Sequence, residues 1–542
     1  MSALSALQRY PLVTIGLFST LLFFFNLDAL TISIMEARNF LVAREMITEG
    51  HWLLTTMNDL PRYEKPPLPA WITAPFIWAF GTETLWAYRL PTSLVSTAGV
   101  YTLFFLVRRV GGGRDLALFS ALVLATSFYY VVIRFEAPSD VYTHVFMLGA
   151  ICFWEGLEKT RTGWTYALLG GVCFGLSVLA KGPVSLYALF LPFLLAYSTV
   201  YRGRWVRWWG RYAVLIAVGL TVGASWYVYL RMVDPQGILQ VADKETGNWT
   251  SYNVRPFYYY WSFFIQSGIW TIPAAMSLAF PYFRKRVKFK KAYTFSWLWT
   301  VGAVVLLSAI PEKKSRYLVP VLIPLAINTA HVLLYIINTP KPTLFDKIFV
   351  NTHRVIVLLI CVGSPAVYFF VDRSLDGVWL WYSTLVLAMY LIAAFIATNL
   401  LRRDTRFLFW TGVLTVSVVT TIGMSGTAFF KANPEFRTLQ TLEHDAKMND
   451  PLFYGNLDPE IIWEYGRTLA PLAGEAWDAL GREGERLVLV AEPSRENFLG
   501  HFTGKPEWQV DKVGTYDRNY FSAPGESGYK TRHVVHVYDV SR

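Results

Sequence analysis

The sequence predicts an all-α polytopic membrane bundle followed by a small C-terminal α/β soluble domain. The 542-residue chain is 54% hydrophobic and only 16% charged, with a mean hydropathy of +0.35, whereas soluble domains carry about 25% charged residues. Apolar runs long enough to cross a bilayer recur from Leu12 to about residue 430. Beyond that point the apolar runs become short and alternate with polar stretches, as in a soluble domain.

The membrane part begins with an apolar run near Leu12 to Leu30, which has no small-residue cleavage site after it. We interpret it as a retained first span, with a cleaved signal peptide as the alternative. About thirteen spans are predicted, near residues 10–30, 86–107, 115–133, 141–157, 163–180, 184–201, 211–231, 257–281, 293–310, 317–338, 354–371, 378–400 and 407–428. Each is close to the minimum spanning length.

The basic residues predict the orientation of these spans. They concentrate in alternate connections, at Arg108, Arg109 and Arg114; Lys159 and Arg161; Arg202, Arg204, Arg207 and Arg211; Arg284–Lys291; and Arg402, Arg403 and Arg406. Because such loops face the cytoplasm, the N-terminus is predicted inside, and residues 31–85 and the C-terminal domain outside. The net charge of +11 lies between spans and not on one soluble face, so we expect no nucleic-acid partner. The loop PEKKSR, Pro311–Arg316, is an exception because it is basic on the predicted outer side.

The chain is therefore divided into a membrane domain, residues 1–430, and a periplasmic α/β domain, residues 431–542. Short apolar runs in the second domain (PLFYG, RLVLVAE, HVVHVYDV) predict strands, and PEIIWEYGRTL predicts a helix. This domain carries no catalytic signature, so a structural or acceptor-positioning role is the simplest interpretation. The three cysteines, Cys152, Cys173 and Cys361, lie in apolar runs without metal-ligand spacing, so neither a disulfide nor a structural zinc is expected.

The outer segment 31–85 is too polar to span the membrane. The run EARNFLVAREMITEG from Glu36 places Phe40, Ala43, Met46 and Ile47 on one helical face, with Arg38, Glu45 and Glu49 elsewhere. This pattern predicts a helix that lies in the membrane interface. A second stretch, LPAWITAPFIWAF from Leu68, suits the same depth. The motif RYEKPP, residues 62–67, lies between them.

Two carboxylates are candidate catalytic bases. Glu36 lies where the interfacial helix begins, and an ionised carboxylate there could accept a proton; the alternative is a helix-start acid paired with Arg38. Asp140 ends the outside turn RFEAPSD at the start of a span, where acids are costly and are functional candidates. Its alternative role is to cap that helix.

Cations also gather in the outer loops. Lys65, Lys181, Arg255, Lys313, Lys314 and Arg316 are predicted there, together with Glu36, Glu64 and Asp140. Such cations would bind an anionic lipid phosphate through charge-assisted hydrogen bonds. For Lys181, at the end of a span, an ordinary lysine that extends to the membrane surface is the alternative.

The run MEARNFLVAREMITEGHW followed by RYEKPPLPAW resembles the membrane-embedded GT-C glycosyltransferases that use polyprenyl-phosphate sugars. The nearest branches are the lipid A 4-amino-4-deoxy-L-arabinose transferases and the dolichyl-phosphate-mannose protein mannosyltransferases. Weaker support comes from the turn at Asp140, AKG at Ala180–Gly182, RPFYYY at Arg255–Tyr260 and KKSRYLVPVLIPLA from Lys313. The resemblance covers residues 10–340, in general layout.

The resemblance implies a bacterial inner-membrane enzyme that transfers a sugar, with inversion, from undecaprenyl phosphate to a lipid, glycan or protein acceptor on the periplasmic face. It places Tyr63, Glu64 and Lys65 in the donor cavity, Lys181 facing that cavity, and Arg255, Lys313, Arg316 and Tyr317 around the phosphate. The arabinose-transferase branch reads Asp-Glu where this chain reads Met35-Glu36, so the catalytic role would pass to Glu36 or Asp140.

Some members of the family use a divalent metal, which Glu64 and Asp140 could bind; no other cofactor is expected. An alternative function from another class is a transporter or flippase of a lipid-linked glycan. A transporter typically has charged or broken-helix features at mid-membrane depth, whereas the polar residues here concentrate in loops on one side. A membrane-anchored binding protein is a third alternative. The sugar, the acceptor and the oligomeric state are left open.

Overall fold

The computed structural model describes residues 3–158, 161–201, 205–401, 404–442, 451–480 and 486–542. Of the basic residues used to predict orientation, Lys159, Arg202, Arg204, Arg402 and Arg403 lie outside the described residues. The chain divides into two compact units. The membrane unit comprises Met1–Leu30, Tyr63–Phe369 and Asp376–Ala428, and the C-terminal unit comprises Thr31–Arg62, Phe370–Leu375 and Phe429–Arg542.

Helices dominate the described residues. In chain order they are α1 (Ala3–Arg9), α2 (Pro11–Phe23), α3 (Ile34–Thr48), α4 (Leu68–Phe80), α5 (Leu85–Arg109), α6 (Arg114–Ala125), α7 (Phe128–Glu136), α8 (Pro138–Trp154), α9 (Gly163–Lys181), α10 (Leu191–Tyr201), α11 (Trp205–Val233), α12 (Pro235–Ser251), α13 (Thr271–Ser277), α14 (Phe280–Arg286), α15 (Lys290–Ala309), α16 (Val319–Asn338), α17 (Leu344–Val362), α18 (Val378–Leu401), α19 (Leu408–Val418), α20 (Pro459–Tyr465), α21 (Glu475–Leu480) and α22 (Arg495–Gly500). Single turns of 3₁₀ helix, among them Phe257–Tyr260 and Ser315–Leu318, precede some of them.

The membrane unit contains helices long and apolar enough to cross a bilayer, as predicted. Within the described residues there are 6, or up to 9 if each of 3 bent helix pairs is one span. The predicted count of about thirteen is not confirmed. Several of the predicted spans are shorter helices, such as α2 with 13 residues. A helix of that length rises only about 20 Å, less than the ~30 Å of a hydrocarbon core.

Glycines let α9 and α11 approach closely. A methyl group added at Gly171 or Gly175 of α9 would lie 2.7 or 2.5 Å from the Cβ of Val218 or Val222 on α11, and one at Gly219 would meet the ring of Phe174. Membrane helices have no hydrophobic driving force between them, so small residues at such contacts let them pack closely. This packing fixes Lys181, the last residue of α9.

Two buried arginines tie the chain after α2 to the neighbouring helices. Arg89 of α5 donates to the carbonyls of Leu27 and Leu30 at 2.7 and 2.9 Å, and Arg134 of α7 donates to the carbonyl of Phe23. Both guanidinium groups lie over the ring of Phe135, at 4.9 and 4.2 Å. Carbonyls outside a helix need partners in a nonpolar setting, and these arginines supply them.

The C-terminal unit contains a five-stranded sheet. Its strands, after the short hairpin β1 (Thr56–Met57) and β2 (Leu60–Pro61), are β3 (Leu452–Tyr454), β4 (Ala470–Pro471), β5 (Arg486–Ala491), β6 (Gln509–Asp517) and β7 (Val534–Ser541). The order is β4-β3-β5-β7-β6, with β3 parallel to β4 and β5, and β7 antiparallel to β5 and β6. Successive residues of β5 enter the cores on opposite faces of the sheet, as strand geometry requires.

Helix α3 packs with the C-terminal residues, although the sequence-based boundary placed it in the membrane domain. Arg44 donates to the carbonyls of Trp463 and Ile462 at 3.0 and 3.2 Å. The amide of Asn58 both donates to and accepts from the backbone of Leu469. These bonds join residues 31–62 to α20 and the segment after it.

The predicted apolar face of α3 is buried, but so is a residue expected on its polar face. Phe40, Ala43 and Met46 are at most 1% exposed, and Glu45 is equally buried. The Glu45 carboxylate accepts from the Thr56 hydroxyl at 2.6 Å and from the backbone N–H groups of Asn58 and Asp59 at 2.6 and 3.2 Å. The acid is therefore an internal anchor for the β1–β2 hairpin. Whether α3 lies in a membrane interface stays a prediction.

Replacing Glu45 with Ala should loosen this hairpin. The substitution leaves two backbone donors and one hydroxyl without their acceptor, at a cost of about 2–3 kcal/mol. Hydrogen exchange of the amides of residues 56–60 in the full-length protein should speed up strongly, while Glu49→Ala, at an exposed acid near the end of α3, should leave it unchanged. Equal exchange in both variants would contradict the anchoring role.

Candidate active site

Helix ends of the membrane unit bring Asp140 and Lys181 together. Helix α8 begins at Pro138, a favoured first residue, and this places Asp140 in the first turn with Ala137 as the N-cap. Asp140 is therefore not the cap residue that the alternative interpretation proposed. Helix α9 ends at Lys181 because Gly182 adopts φ 77° and Pro183 follows.

The Asp140–Lys181 pair is buried. The two residues are 1% and 8% exposed, and the Lys181 ammonium donates to Oδ1 of Asp140. Among the described residues, Oδ2 of Asp140 has no hydrogen-bond partner, and neither does Nδ1 of His144, one turn further along α8. An ion pair in such a place is costly to form and leaves one carboxylate oxygen ready to accept a proton from another group.

Further cations and an aromatic ring surround this pair. The Lys181 ammonium lies 5.4 Å from the centre of the Tyr317 ring. Lys65 and Arg316 are close enough to Lys181 to interact with it electrostatically, and Arg316 also interacts with Asp140. Four of the predicted phosphate-binding residues, Lys65, Lys181, Arg316 and Tyr317, are therefore neighbours. We call these four together with Asp140 the Asp140 cluster.

The loops at residues 253–255 and 311–313 run side by side. Val254 and Glu312 form an antiparallel bridge, the Arg255 N–H donates to the Pro311 carbonyl at 3.2 Å, and the Lys313 N–H donates to the Asn253 carbonyl at 3.1 Å. The sequence analysis placed Arg255 and Lys313 at one site, and the structure brings their backbones together. These bridged loops lead directly into Arg316 and Tyr317.

Lys313 fastens the bridged loops. It is 3% exposed, and its ammonium donates to the backbone carbonyls of Arg255 at 3.1 Å, Pro311 at 3.5 Å and Ile310. Burial lowers the pKa of this ammonium. With three carbonyls around it, the Lys313 ammonium holds the backbone of the bridged loops, and its direct contact with a phosphate, which the resemblance implies, stays a prediction.

Glu312 is an acid of this region that the sequence analysis did not single out. It accepts from the Tyr317 hydroxyl at 3.1 Å, and the Lys314 ammonium lies 2.5 Å from the same oxygen. The Lys314 ammonium also lies 4.8 Å from the centre of the Tyr252 ring. The acid orients Tyr317 and neutralises Lys314. Glu312 is part of the motif PEKKSR, but the sequence prediction rested on the cations of that motif.

The segment with Tyr63, Glu64 and Lys65 faces helix α12. Tyr63 is 7% exposed and meets Trp226 edge to face at 6.4 Å; burial and the neighbouring Asp234 raise the pKa of its hydroxyl. Glu64 accepts from Lys244 at 3.0 Å, and Lys65 lies 3.8 Å from Glu245. Predicted donor-site residues are therefore held by α12.

Glu36 and Arg38 belong to the C-terminal unit, through helix α3. Glu36 is fully buried and forms a capping box with Ser33: its carboxylate accepts from the Ser33 N–H at 3.1 Å, and its own N–H donates to the Ser33 hydroxyl at 3.3 Å. Arg38 interacts electrostatically with Asp458. A capping role for Glu36, made with Ser33, agrees with the helix-start alternative.

Each of the two carboxylates proposed for a divalent metal is paired with a lysine. Glu64 and Asp140 each have a lysine nitrogen at the carboxylate. The described part of the chain contains no group of three or more His, Cys, Asp or Glu residues that could hold a metal ion.

A second set of buried ionisable side chains lies in the C-terminal unit. Arg518 donates to Glu464 at 2.6 Å, and Nε2 of His533 lies 3.5 Å from Asp458. Burial raises the pKa values of Asp458, Glu460 and Glu464 despite the neighbouring arginines. Burial, together with Arg518, Lys530 and Arg532, lowers the pKa of His533 to about 4.

The His533 shift predicts an acid-sensitive C-terminal unit. Because the pKa of His533 is lower in the folded state than in the unfolded state, the neutral imidazole contributes stability to the fold. This stability is fully present above pH 6.5 and is lost as the pH falls through about 4. His533→Gln should remove this dependence, worth on the order of 2–3 kcal/mol. The raised pKa values of Asp458, Glu460 and Glu464 change stability with pH in the opposite direction. Comparing hydrogen exchange of β5 amides in wild type and His533→Gln at the same pH cancels the effect of these acids. A difference between the proteins that does not change between pH 7 and pH 4 would contradict the prediction.

Comparisons with known proteins confirm the similarity that the motifs predicted. Residues 64–229 match the family described as dolichyl-phosphate-mannose-protein mannosyltransferase. The chain is 24% identical over 352 residues to an "Undecaprenyl phosphate-alpha-4-amino-4-deoxy-L-arabinose arabinosyl transferase" of Erwinia tasmaniensis, covering 60% of each protein. It is 26% identical over 317 residues to the protein of the same description from Edwardsiella ictaluri, covering 54% of each. The aligned part thus spans less than two thirds of these relatives.

The fold is also similar to a solved structure. The crystal structure of ArnT from Cupriavidus metallidurans bound to undecaprenyl phosphate superimposes with a TM-score of 0.67 over 97% of both chains, at 18% identity. The apo state of the same protein gives a TM-score of 0.66. At this level of identity the likeness concerns the fold. It extends over both units, whereas the sequence similarity covers only about 60% of the chain.

Proposed function

We propose that this chain is an inverting glycosyltransferase that moves a sugar from undecaprenyl phosphate to a lipid, glycan or protein acceptor on the periplasmic face of the bacterial inner membrane. The observation that carries the proposal is the Asp140 cluster, where fixed cations surround a buried carboxylate at converging helix ends. The similarity to arabinosyl transferases supports the same donor class.

The cluster suits the chemistry of this transfer. An acceptor hydroxyl attacks the anomeric carbon, the bond from that carbon to the phosphate oxygen breaks, and undecaprenyl phosphate leaves with the electron pair. Negative charge on the phosphate grows as the bond breaks, so Lys65 and Arg316 would stabilise the transition state more than the ground state.

Asp140 is the better candidate for the general base. Its Oδ2 has no hydrogen-bond partner among the described residues, whereas the Glu36 carboxylate accepts from the backbone at the start of its own helix. In the proposed reaction, Oδ2 accepts the proton of the acceptor hydroxyl while Lys181 holds Oδ1 in place. An acid held at one oxygen and open at the other is suited to this task.

The proposal is tested by incubating the purified protein with undecaprenyl-phosphate sugars and lipid A. Mass spectrometry should detect free undecaprenyl phosphate and lipid A heavier by one sugar, both dependent on Asp140. A protein that moves the intact donor between the leaflets of a vesicle, without cleaving it, would contradict the proposal and favour a lipid-linked glycan transporter. The assay can be repeated with a glycan or a protein as the acceptor in place of lipid A.

A further inference from the structure

Helix α12 meets the segment at Glu64 and Lys65 with matched charges. Lys244 donates to Glu64 at 3.0 Å, and Glu245 lies 3.8 Å from Lys65. Two adjacent residues on one element therefore pair with two adjacent residues of opposite charge on the other. The pairing is specific in register, because a shift by one residue would bring like charges together.

The start of α12 is fixed more firmly than its body. Asp234, just before the helix, accepts from the Gly237 N–H at 2.9 Å and interacts with the Tyr63 hydroxyl. A methyl group at Gly237 would lie 2.9 Å from the Tyr63 ring. Further along, Leu239 is 49% exposed, and Asp243 and Lys244 are exposed as well. A helix with so few buried apolar contacts opens at a low free-energy cost.

Glu245 lies beside the cations of the Asp140 cluster. Besides its contact with Lys65, it interacts electrostatically with Tyr227, whose hydroxyl lies 3.2 Å from the position of a Cβ at Gly182. Gly182 follows Lys181, which interacts with Lys65. The Glu245 carboxylate thus places a negative charge 3.8 Å from the Lys65 ammonium, a cation of the Asp140 cluster.

We propose that Glu245 is an internal competitor for the donor phosphate. In the absence of donor it neutralises Lys65 and, with the Lys244–Glu64 pair, holds α12 against the donor segment. The donor phosphodiester carries one charge, as a carboxylate does, and the released undecaprenyl phosphate carries about −1.5 to −2. Either can accept from the Lys65 ammonium in place of Glu245, which releases α12. This inference rests on the proposed function, because it assumes that the donor phosphate binds at Lys65.

Both ion pairs are partly exposed, so each is weak and is screened by salt. A weak pair is what a competitor requires, since a tight one would exclude the donor. Removing the carboxylate should therefore tighten donor binding by a modest factor, about threefold to fivefold at low ionic strength.

The test is a titration of the full-length, detergent-solubilised protein with undecaprenyl phosphate, followed by native mass spectrometry. Glu245→Gln should bind about threefold to fivefold more tightly than wild type in dilute ammonium acetate, and the advantage should shrink as the salt concentration rises. Asp243→Asn is the matched control. It removes the same charge from an exposed acid on the same helix, and should bind as wild type does.

A second readout follows α12 itself. Undecaprenyl phosphate should accelerate hydrogen exchange of the α12 amides in wild type, and Glu245→Gln should exchange fast already without the lipid. Equal or weaker lipid binding by Glu245→Gln, or equal tightening by Asp243→Asn, would overturn the proposal. In these outcomes the wild-type protein still binds undecaprenyl phosphate. If the proposed function is wrong, the wild-type protein itself binds no undecaprenyl phosphate.

Discussion

Asp140→Asn should reduce sugar transfer by at least about a hundredfold, because general-base catalysis typically contributes that much. The asparagine has nearly the same shape but accepts no proton at neutral pH. It also leaves the Lys181 ammonium buried without its counter-charge. Breaking such a pair costs about 3–5 kcal/mol, so a loss of activity by this variant alone would not separate catalysis from folding.

The double variant Asp140→Asn, Lys181→Met separates the two roles. Removing both charges of a buried pair is often neutral for stability, so this protein should unfold at nearly the wild-type temperature while transfer remains lost. Thermal unfolding and the transfer assay are measured on the same preparation. Transfer at the wild-type rate by the double variant would show that Asp140 is not the base, whatever the stability.

Lys65→Met should weaken the binding of undecaprenyl phosphate by about tenfold to a hundredfold, the usual worth of one charge-assisted hydrogen bond. Its side chain is 28% exposed, and within the described part of the chain its ammonium is paired with Glu245 at the long distance of 3.8 Å, so it is accessible to a phosphate. Lys341→Met, at an exposed lysine in the loop between α16 and α17, is the matched control and should bind normally.

Lys313 gives a useful contrast with Lys65. Its ammonium is surrounded by backbone carbonyls, so Lys313→Met should first loosen the bridged loops. A loss of affinity in this variant should be accompanied by faster hydrogen exchange at residues 253–255. If Lys65→Met bound the lipid as tightly as Lys341→Met, Lys65 would not be a phosphate ligand.

The local pattern of the chain predicted its elements well. The runs PLFYG, RLVLVAE and HVVHVYDV became β3, β5 and β7, and PEIIWEYG became α20. Apolar runs in the membrane part became helices because periodicity and composition are local properties. The number of spans was not predictable in the same way. It depends on where helices bend or end, and three pairs bend by more than 40°.

The candidate site was predicted only in part, because its contacts join distant residues. Asp140 and Lys181 were both singled out, but nothing in the sequence reveals that residues 41 positions apart form an ion pair. Glu245 was not predicted as a site residue, because an acid on a polar helix shows no recognisable motif before its partner is known. The sequence analysis assigned Arg38 and Glu36 to the membrane domain. The packing of α3 on α20 was not predictable, because it joins residues more than 400 positions apart.

The most direct test of the phosphate site compares two lipids that differ only in the phosphate. Wild-type protein is titrated with undecaprenyl phosphate and with undecaprenol in the same detergent, and the bound fraction is read by native mass spectrometry. The cations of the Asp140 cluster predict tight binding of undecaprenyl phosphate, weakened about tenfold to a hundredfold in Lys65→Met, and weak binding of undecaprenol in both proteins. Equal affinity of the wild-type protein for the two lipids would contradict the account.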